Sequence, residues 1–211
     1  MMASHSKALA AVGAAPTIGF AAPVHDAQAV FRAVLDCLAR PGTVQPVPAL
    51  PAGAPFQATA AAVLLTLADH ETTVWLDAPL AAQPEVAAYV RFTTGAKIVD
   101  DPAAATFAVV SAPVAMPPLA AFAQGSPEYP DRSTTLIVIV DRIDAAPTSE
   151  ALALSGPGIR GRAHLAFAPR PADLADQLVA NRDQFPRGVD LIVCGPGIVA
   201  GLPRSTRIGE A

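Results

Sequence analysis

Two runs of residues limit what this chain can become. Residues 134–140 read Thr-Thr-Leu-Ile-Val-Ile-Val, and residues 189–194 read Val-Asp-Leu-Ile-Val-Cys. Neither alternates apolar with polar along its length. Both are rich in β-branched residues, which suit a pleated surface better than a helical turn. A short strand that is apolar at successive positions must be covered on both faces. The rest of the chain therefore has to supply two covering layers.

The chain can do so. It has 211 residues, 52% of them apolar and only 15% charged, which excludes an intrinsically disordered protein. A chain of this length buries roughly 70–75% of its unfolded surface. Aromatic residues are scarce, at 5%, so Ala, Val, Leu and Ile must build the core.

Helical and extended patterns interleave. Asp26 is positioned as the N-cap of a helix to about Arg40, with Gln28, Arg32, Asp36 and Arg40 on a polar stripe. Val30, Val34, Cys37 and Leu38 form its buried side, and Asp36 can pair with both arginines. Pro46, Pro48, Pro51 and Pro55 mark a stiff connection. Further helices are expected over 57–69, 85–91 and 118–123 and from Pro171. Strands are expected at 72–76, 96–99, 107–110, 151–154 and 163–167, and the tail over 202–208 reads as short and polar. The pattern predicts a single three-layer α/β/α domain with a mixed sheet over residues 17–211, preceded by a loose arm over residues 1–16.

Charge and cysteine usage exclude several functions. The net charge is −4 and no basic run occurs, so no nucleic-acid partner is expected. No stretch approaches the ~18 consecutive apolar residues of a membrane span. Lys7 followed by residues 8–15 only faintly resembles an export signal, and Pro16 breaks it; a cytoplasmic protein is expected. Cys37 and Cys194 lie in apolar stretches, 157 positions apart, and read as buried free thiols rather than a disulfide.

No complete catalytic set emerges. His5, His25, His70 and His164 are scattered and give no metal-ligand spacing. Asp69 could orient His70 as a base, but a His closing a helix is the plainer reading. Ser155 has no base assigned by spacing. A pyridoxal phosphate enzyme needs a lysine, and only Lys7 and Lys97 exist.

Gly156-Pro157-Gly158 and Gly195-Pro196-Gly197 are either tight turns or ligand loops, without Walker or dinucleotide spacing. Seven of the 14 basic residues, Arg160, Arg162, Arg170, Arg182, Arg187, Arg204 and Arg207, fall in the last 61 positions. They read as a solvated face or as an anion site, with Gly156, Gly158, Arg160 and Arg204 as the anion-binding candidates. The loop at 125–133 holds Glu128, Tyr129, Asp131 and Arg132, and a polar link spans 181–188. Each is either a self-ordered loop or a docking surface.

Several segments resemble the H subunit of the carbon–phosphorus lyase core complex, the PhnH family. They are Phe31-Arg32-Ala33-Val34-Leu35-Asp36 through Ala39-Arg40-Pro41-Gly42-Thr43, and Leu67-Ala68-Asp69-His70-Glu71-Thr72-Thr73-Val74-Trp75. Residues 125–132, 154–159, Phe185-Pro186-Arg187-Gly188-Val189-Asp190 and Leu202-Pro203-Arg204 continue the likeness. Thr93 stands where the family would have histidine, and Ser205 where threonine is usual.

The resemblance implies a subunit in bacterial phosphonate breakdown. It acts with the G and I subunits and the L protein to move ribose triphosphate from ATP onto a phosphonate, and sits in a core with G, I and J. Chemistry is attributed to the I and J subunits, so no catalytic residue and no metal are assigned to this chain. The fold implied is a truncated pyridoxal-phosphate transferase domain without the cofactor, and a homodimer is expected for the isolated chain. Glu128, Tyr129, Asp131, Arg132, Arg187 and Asp190 are the subunit-contact candidates. The alternative is a phosphate- or nucleotide-binding component that contributes directly to the transfer.

Overall fold

The computed structural model describes residues 18–209, and the expected arm over 1–16 lies outside them. In chain order the elements begin with α1 (Pro23–Ala39), β1 (Val44–Pro46), α2 (Ala58–Leu67), β2 (Thr73–Leu76), α3 (Ala78–Ala81) and α4 (Pro84–Thr94). They continue with β3 (Lys97–Val99), β4 (Phe107–Val110), β5 (Thr135–Ile139), β6 (Arg142–Asp144), β7 (Leu152–Ser155) and β8 (Ala163–Ala168). The last are α5 (Leu174–Asp183), β9 (Asp190–Gly195), β10 (Ile198–Leu202) and β11 (Arg207–Gly209).

The two apolar runs become neighbours. β5 and β9 pair in parallel, with Ile137 opposite Ile192, at the heart of a seven-stranded sheet ordered β1-β10-β9-β5-β4-β2-β3. The five strands from β9 to β3 are parallel, and β10 and β1 add antiparallel. Ile137, Ile192 and Cys194 face one hydrophobic core, while Leu136, Val138, Leu191 and Val193 face a second. The mixed α/β architecture and the two-sided burial agree with the sequence.

The two covering layers differ. α1, α2 and α4 cover the first face, and five consecutive residues of α2, from Ala60 to Leu64, are fully buried. Alanine lets that helix lie close to the sheet. The second face carries α5 and a four-stranded antiparallel sheet ordered β11-β7-β8-β6. The expected all-helical outer layers thus hold on one side only. The strands around Gly156-Pro157-Gly158 form their own sheet because β7 and β8 pair with each other.

Local departures have physical reasons. α1 begins at Pro23, with Ala22 rather than Asp26 as N-cap; proline fixes the φ that a first helical residue needs. The Asp26 carboxylate instead accepts the Ala22 N–H at 2.8 Å from inside the first turn. Asp36 pairs with Arg40 alone, at 2.9 Å and half-exposed, which contributes a few tenths of a kcal/mol.

Part of the stiff connection is β1, where Pro46 is tolerated because the strand lies at the sheet edge. Pro196 and Gly197, the latter at φ +73°, form a two-residue hairpin link from β9 into β10. The tail, read as short and polar, supplies β11, which pairs with β7.

Gly158 has φ +78°, and a Cβ there would sit 2.0 Å from the Ala39 carbonyl oxygen at the end of α1. Gly161 has nearly the same φ, +77°, but open space around it. Gly161→Ala should cost about 1–2 kcal/mol from backbone strain alone. Gly158→Ala should cost at least about 2 kcal/mol more, because helix and loop must part. Urea denaturation of the two variants side by side measures the difference.

Candidate functional site

The parallel strands have two ends, and the sequence furnishes them differently. In open α/β sheets ligands bind beyond the carboxyl ends of the strands, where neighbouring connections leave in opposite directions. Here that point lies between β2 and β4, since β2 leads outward to β3 and β4 inward to β5. It is filled by the chain itself. Asp77, 4% exposed, follows β2. Its carboxylate accepts the N–H groups of Ser111 at 2.6 Å, Ala112 at 2.8 Å and Leu80 at 3.3 Å, and the Ser111 hydroxyl at 3.0 Å. A carboxylate thus occupies the cluster of donors that would otherwise hold an anion. Beyond β9, the Gln57 amide donates to the Cys194 carbonyl at 3.0 Å, and the Gly197 N–H donates to Thr59 Oγ1 at 2.8 Å.

The amino end is where the polar residues singled out above collect. The loop before β5 closes on itself: Ser126 N–H donates to the Tyr129 carbonyl, Tyr129 N–H to Ser126 Oγ, and Arg132 N–H to the Tyr129 carbonyl. Gly188 N–H, in the loop before β9, donates to the Gln124 carbonyl at 2.9 Å. Asn181 at the end of α5 is buried and holds both backbone groups of Val189, at 2.8 and 2.9 Å.

Arg204 joins these pieces. Its guanidinium binds both oxygens of Asp190 and donates to Ser133 Oγ and, at 2.6 Å, to the Pro130 carbonyl. Its own N–H donates to Asp190 Oδ1 at 2.7 Å. The two side chains are only 13% and 22% exposed. One bidentate pair therefore fixes the start of β9, the end of the loop before β5 and the segment after β10.

Of the expected contact residues, Glu128, Tyr129, Asp131, Arg132 and Arg187 are exposed. The Arg132 guanidinium lies 4.2 Å from the Tyr129 ring centroid, a cation–π contact that presents both together. Asp190 is different: its carboxylate is turned inward onto Arg204. The residues of the expected anion set have these surroundings. The Arg204 guanidinium is occupied by internal acceptors, Gly158 abuts the Ala39 carbonyl oxygen, and Gly156 packs beside the backbone of Ser205. Arg160 is exposed in the same loop.

Asp69 does not orient His70; its carboxylate accepts the Glu71 N–H at 3.0 Å, and its main-chain carbonyl accepts the Thr72 hydroxyl at 2.8 Å to close the turn. Glu71, Asp131, Arg132 and Ser133 instead line a shallow polar cleft with Thr72 and Thr106. Sequence reasoning missed Asp77, Asn181 and the internal role of Arg204. The position of Asp77 after a strand and before a proline-containing turn gave the one available signal.

Both cysteines are fully buried. Burial raises the Cys37 thiol from 9.0 to about 12 and pushes Cys194 up as well. Neither is a nucleophile at neutral pH. No group of three metal-ligating side chains occurs among the described residues, and no helix there is long and apolar enough to cross a membrane.

These features define a mixed α/β protein whose usual ligand crevice is filled from within and whose exposed polar groups sit at the opposite edge. The family described as bacterial phosphonate metabolism protein (PhnH) matches over residues 18–209. The chain is also 40% identical over 190 residues to the alpha-D-ribose 1-methylphosphonate 5-triphosphate synthase subunit PhnH of Rhizobium meliloti (strain 1021). That alignment covers 90% of this chain and 93% of the relative. The chain belongs to the PhnH family, and with it to phosphonate metabolism.

Two outcomes follow. Arg204→Ala leaves Asp190 half-buried without its partner and should cost about 2–4 kcal/mol, read from the denaturant midpoint; adding Asp190→Asn should recover part of the loss. The thiols set an alkaline limit. Below pH 9 they are protonated in both folded and unfolded states. Above it the unfolded thiols ionise while the folded ones do not, so stability falls by up to about 1.4 kcal/mol per pH unit for each thiol. The Cys37 share levels off near pH 12. A Cys37→Ala/Cys194→Ala chain should show a shallower decline between pH 9 and 11 under reducing conditions.

Proposed function

We propose that this chain is the H-type subunit of a bacterial carbon–phosphorus lyase system. It is needed with the G, I and L proteins for transfer of ribose triphosphate from ATP to a phosphonate, and performs no chemistry alone. The observation that carries the reading is Asp77. In a chain whose family match is essentially full-length, the crevice that would hold a substrate is closed by the protein's own carboxylate. The name of the Rhizobium relative, a synthase subunit, supports the assignment to an assembly.

The exposed group Glu128, Tyr129, Asp131, Arg132 and Arg187 is the proposed surface toward G, I or J. Asp190 and Arg204 hold it in place from behind. This ordering favours the contact reading over direct phosphate binding, because the guanidinium best placed to hold an anion is already engaged. The homodimer of the free chain and the likeness to a transferase domain without cofactor belong to the same proposal and rest on the family resemblance; the cytoplasmic location belongs to it too and rests on the sequence pattern.

The test is co-expression with the G, I and J subunits. The full chain should co-elute with them in moderate salt, and Arg132→Glu or Arg187→Glu should weaken that association. A deletion strain should lose growth on methylphosphonate and regain it with the wild-type gene. Undiminished growth of the deletion strain, or elution of the chain by itself, sinks the subunit reading.

A further inference from the structure

An apolar surface lies away from the loops just described, on the helical face of the sheet. Phe92, near the end of α4, is 78% exposed, and Ile18 is 50% exposed. Together they form a ridge between two hollows. The first, about 330 Å³, lies between α1, α2 and α4 and is lined by Phe20, Pro23, Ala27 and Leu65. The second, about 420 Å³, is lined by Gly53, Pro55, Glu85, Ala88 and Tyr89.

The ridge is held by a two-way backbone bridge: Gly19 and Ala52 exchange N–H···O bonds of 3.0 and 2.9 Å. The apolar surface continues onto the outer side of α1. Val24 is 80%, Phe31 47% and Leu35 54% exposed, and seven- and four-residue spacing puts all three on one stripe. A contiguous patch of this kind marks an interaction site.

Two details say what covers it. The Tyr89 side chain is 93% buried, yet its hydroxyl finds no hydrogen-bond partner among the described residues. A buried hydroxyl left unpaired is unfavourable, and a polar atom entering the adjacent hollow would remedy it. Among the described residues, Glu85 is the one charged side chain lining either hollow. A twofold contact between two copies would lay this patch on itself, and none of the described residues lining the hollows is a cation that could answer Glu85. A different protein carrying a basic residue can.

We propose that the Ile18–Phe92 groove, with the outer stripe of α1, receives an apolar segment of another subunit of the assembly. That segment places two bulky apolar side chains in the two hollows, a polar group at Tyr89 and a Lys or Arg at Glu85. The inference rests on the subunit reading above. It assigns a second contact, distinct from the loops at the amino end of the sheet.

The experiment measures affinity of the full-length chain for the combined G, I and J subunits by surface-immobilised titration, with the melting temperature of each free variant. Phe92→Asp alters an exposed residue, so it should keep the wild-type melting temperature and lower affinity at least tenfold. Tyr89→Phe removes the unpaired hydroxyl; it should raise the melting temperature by about 2–4 °C and still weaken assembly. Val114→Asp, at an equally exposed site elsewhere (67%), should change neither.

Wild-type affinity of Phe92→Asp or of Tyr89→Phe overturns the proposal while leaving the subunit reading intact. The companion loss then names the true occupant. Loss of self-association points to a second copy, and a melting temperature that depends on residues 1–17 points to the chain's own leading segment. Failure of the wild-type chain to bind any of the three subunits overturns the subunit reading, and this inference with it.

Discussion

The pairing of β5 with β9 governs the rest of the molecule. Each of these strands buries every second residue on either side, so neither face of the sheet can be left to solvent. Burying a Leu, Ile or Val side chain stabilises by roughly 1.5–3 kcal/mol, and the pair commits Leu136, Ile137, Val138, Leu191, Ile192 and Val193 at once. Full covering follows: helices rich in alanine on one side, a second sheet and α5 on the other. With both faces closed, polar function can live only at the strand ends or on the outer surface of the covering layers.

The two strand ends have opposite fates. At the carboxyl end, the backbone N–H groups of Ser111 and Ala112 converge as they would on a bound anion, but Asp77 supplies the negative charge from within. The donors converging there are satisfied from within the chain. At the amino end, the loops before β5 and β9 cannot be stabilised by burial, since their side chains point outward. Arg204 solves this with one guanidinium. Its fork matches a carboxylate, a hydroxyl and a main-chain carbonyl at the same time, which lysine could not do. Exposure of Arg132, Tyr129 and Arg187 in a fixed arrangement depends on that internal clamp.

Most strands of the large sheet were legible because continuous β-branched runs leave few alternatives. The four longer helices were legible from spacing, to within a few residues at their ends, whereas the helix expected over 118–123 is a single 3-10 turn at Leu119–Ala121 and α3 was not expected. What escaped has a common physical cause. β1 and β11 draw their identity from partners far along the chain: Val44 pairs with Ala200, and Arg207 with Ser155. Local sequence does not encode such partners. The same holds for the site. Glu128, Tyr129, Asp131 and Arg132 stand close in sequence and were found together. Arg204 and Asp190 were both singled out, but for separate external roles, because their mutual contact is visible only once β9 and β10 form a hairpin. Asp77 drew no notice, since its partners lie 34 and 35 residues away.

On the subunit reading proposed above the chain presents surfaces of defined shape, and two different physical devices would do this. At the amino end the surface is polar, and order is imposed by hydrogen bonds to Arg204 and Asn181; such a contact favours specificity and orientation over raw affinity. On the helical face it is apolar, and order comes from packing of α1, α2 and α4 against the sheet; burial of Phe92 and its neighbours would supply the stronger share of affinity. The devices are separable because they rest on different elements: the loops before β5 and β9 for one, α1, α2 and α4 for the other. Damage to the clamp at Arg204 should therefore disturb the polar surface without emptying the apolar one, and a charge placed at Phe92 should do the reverse.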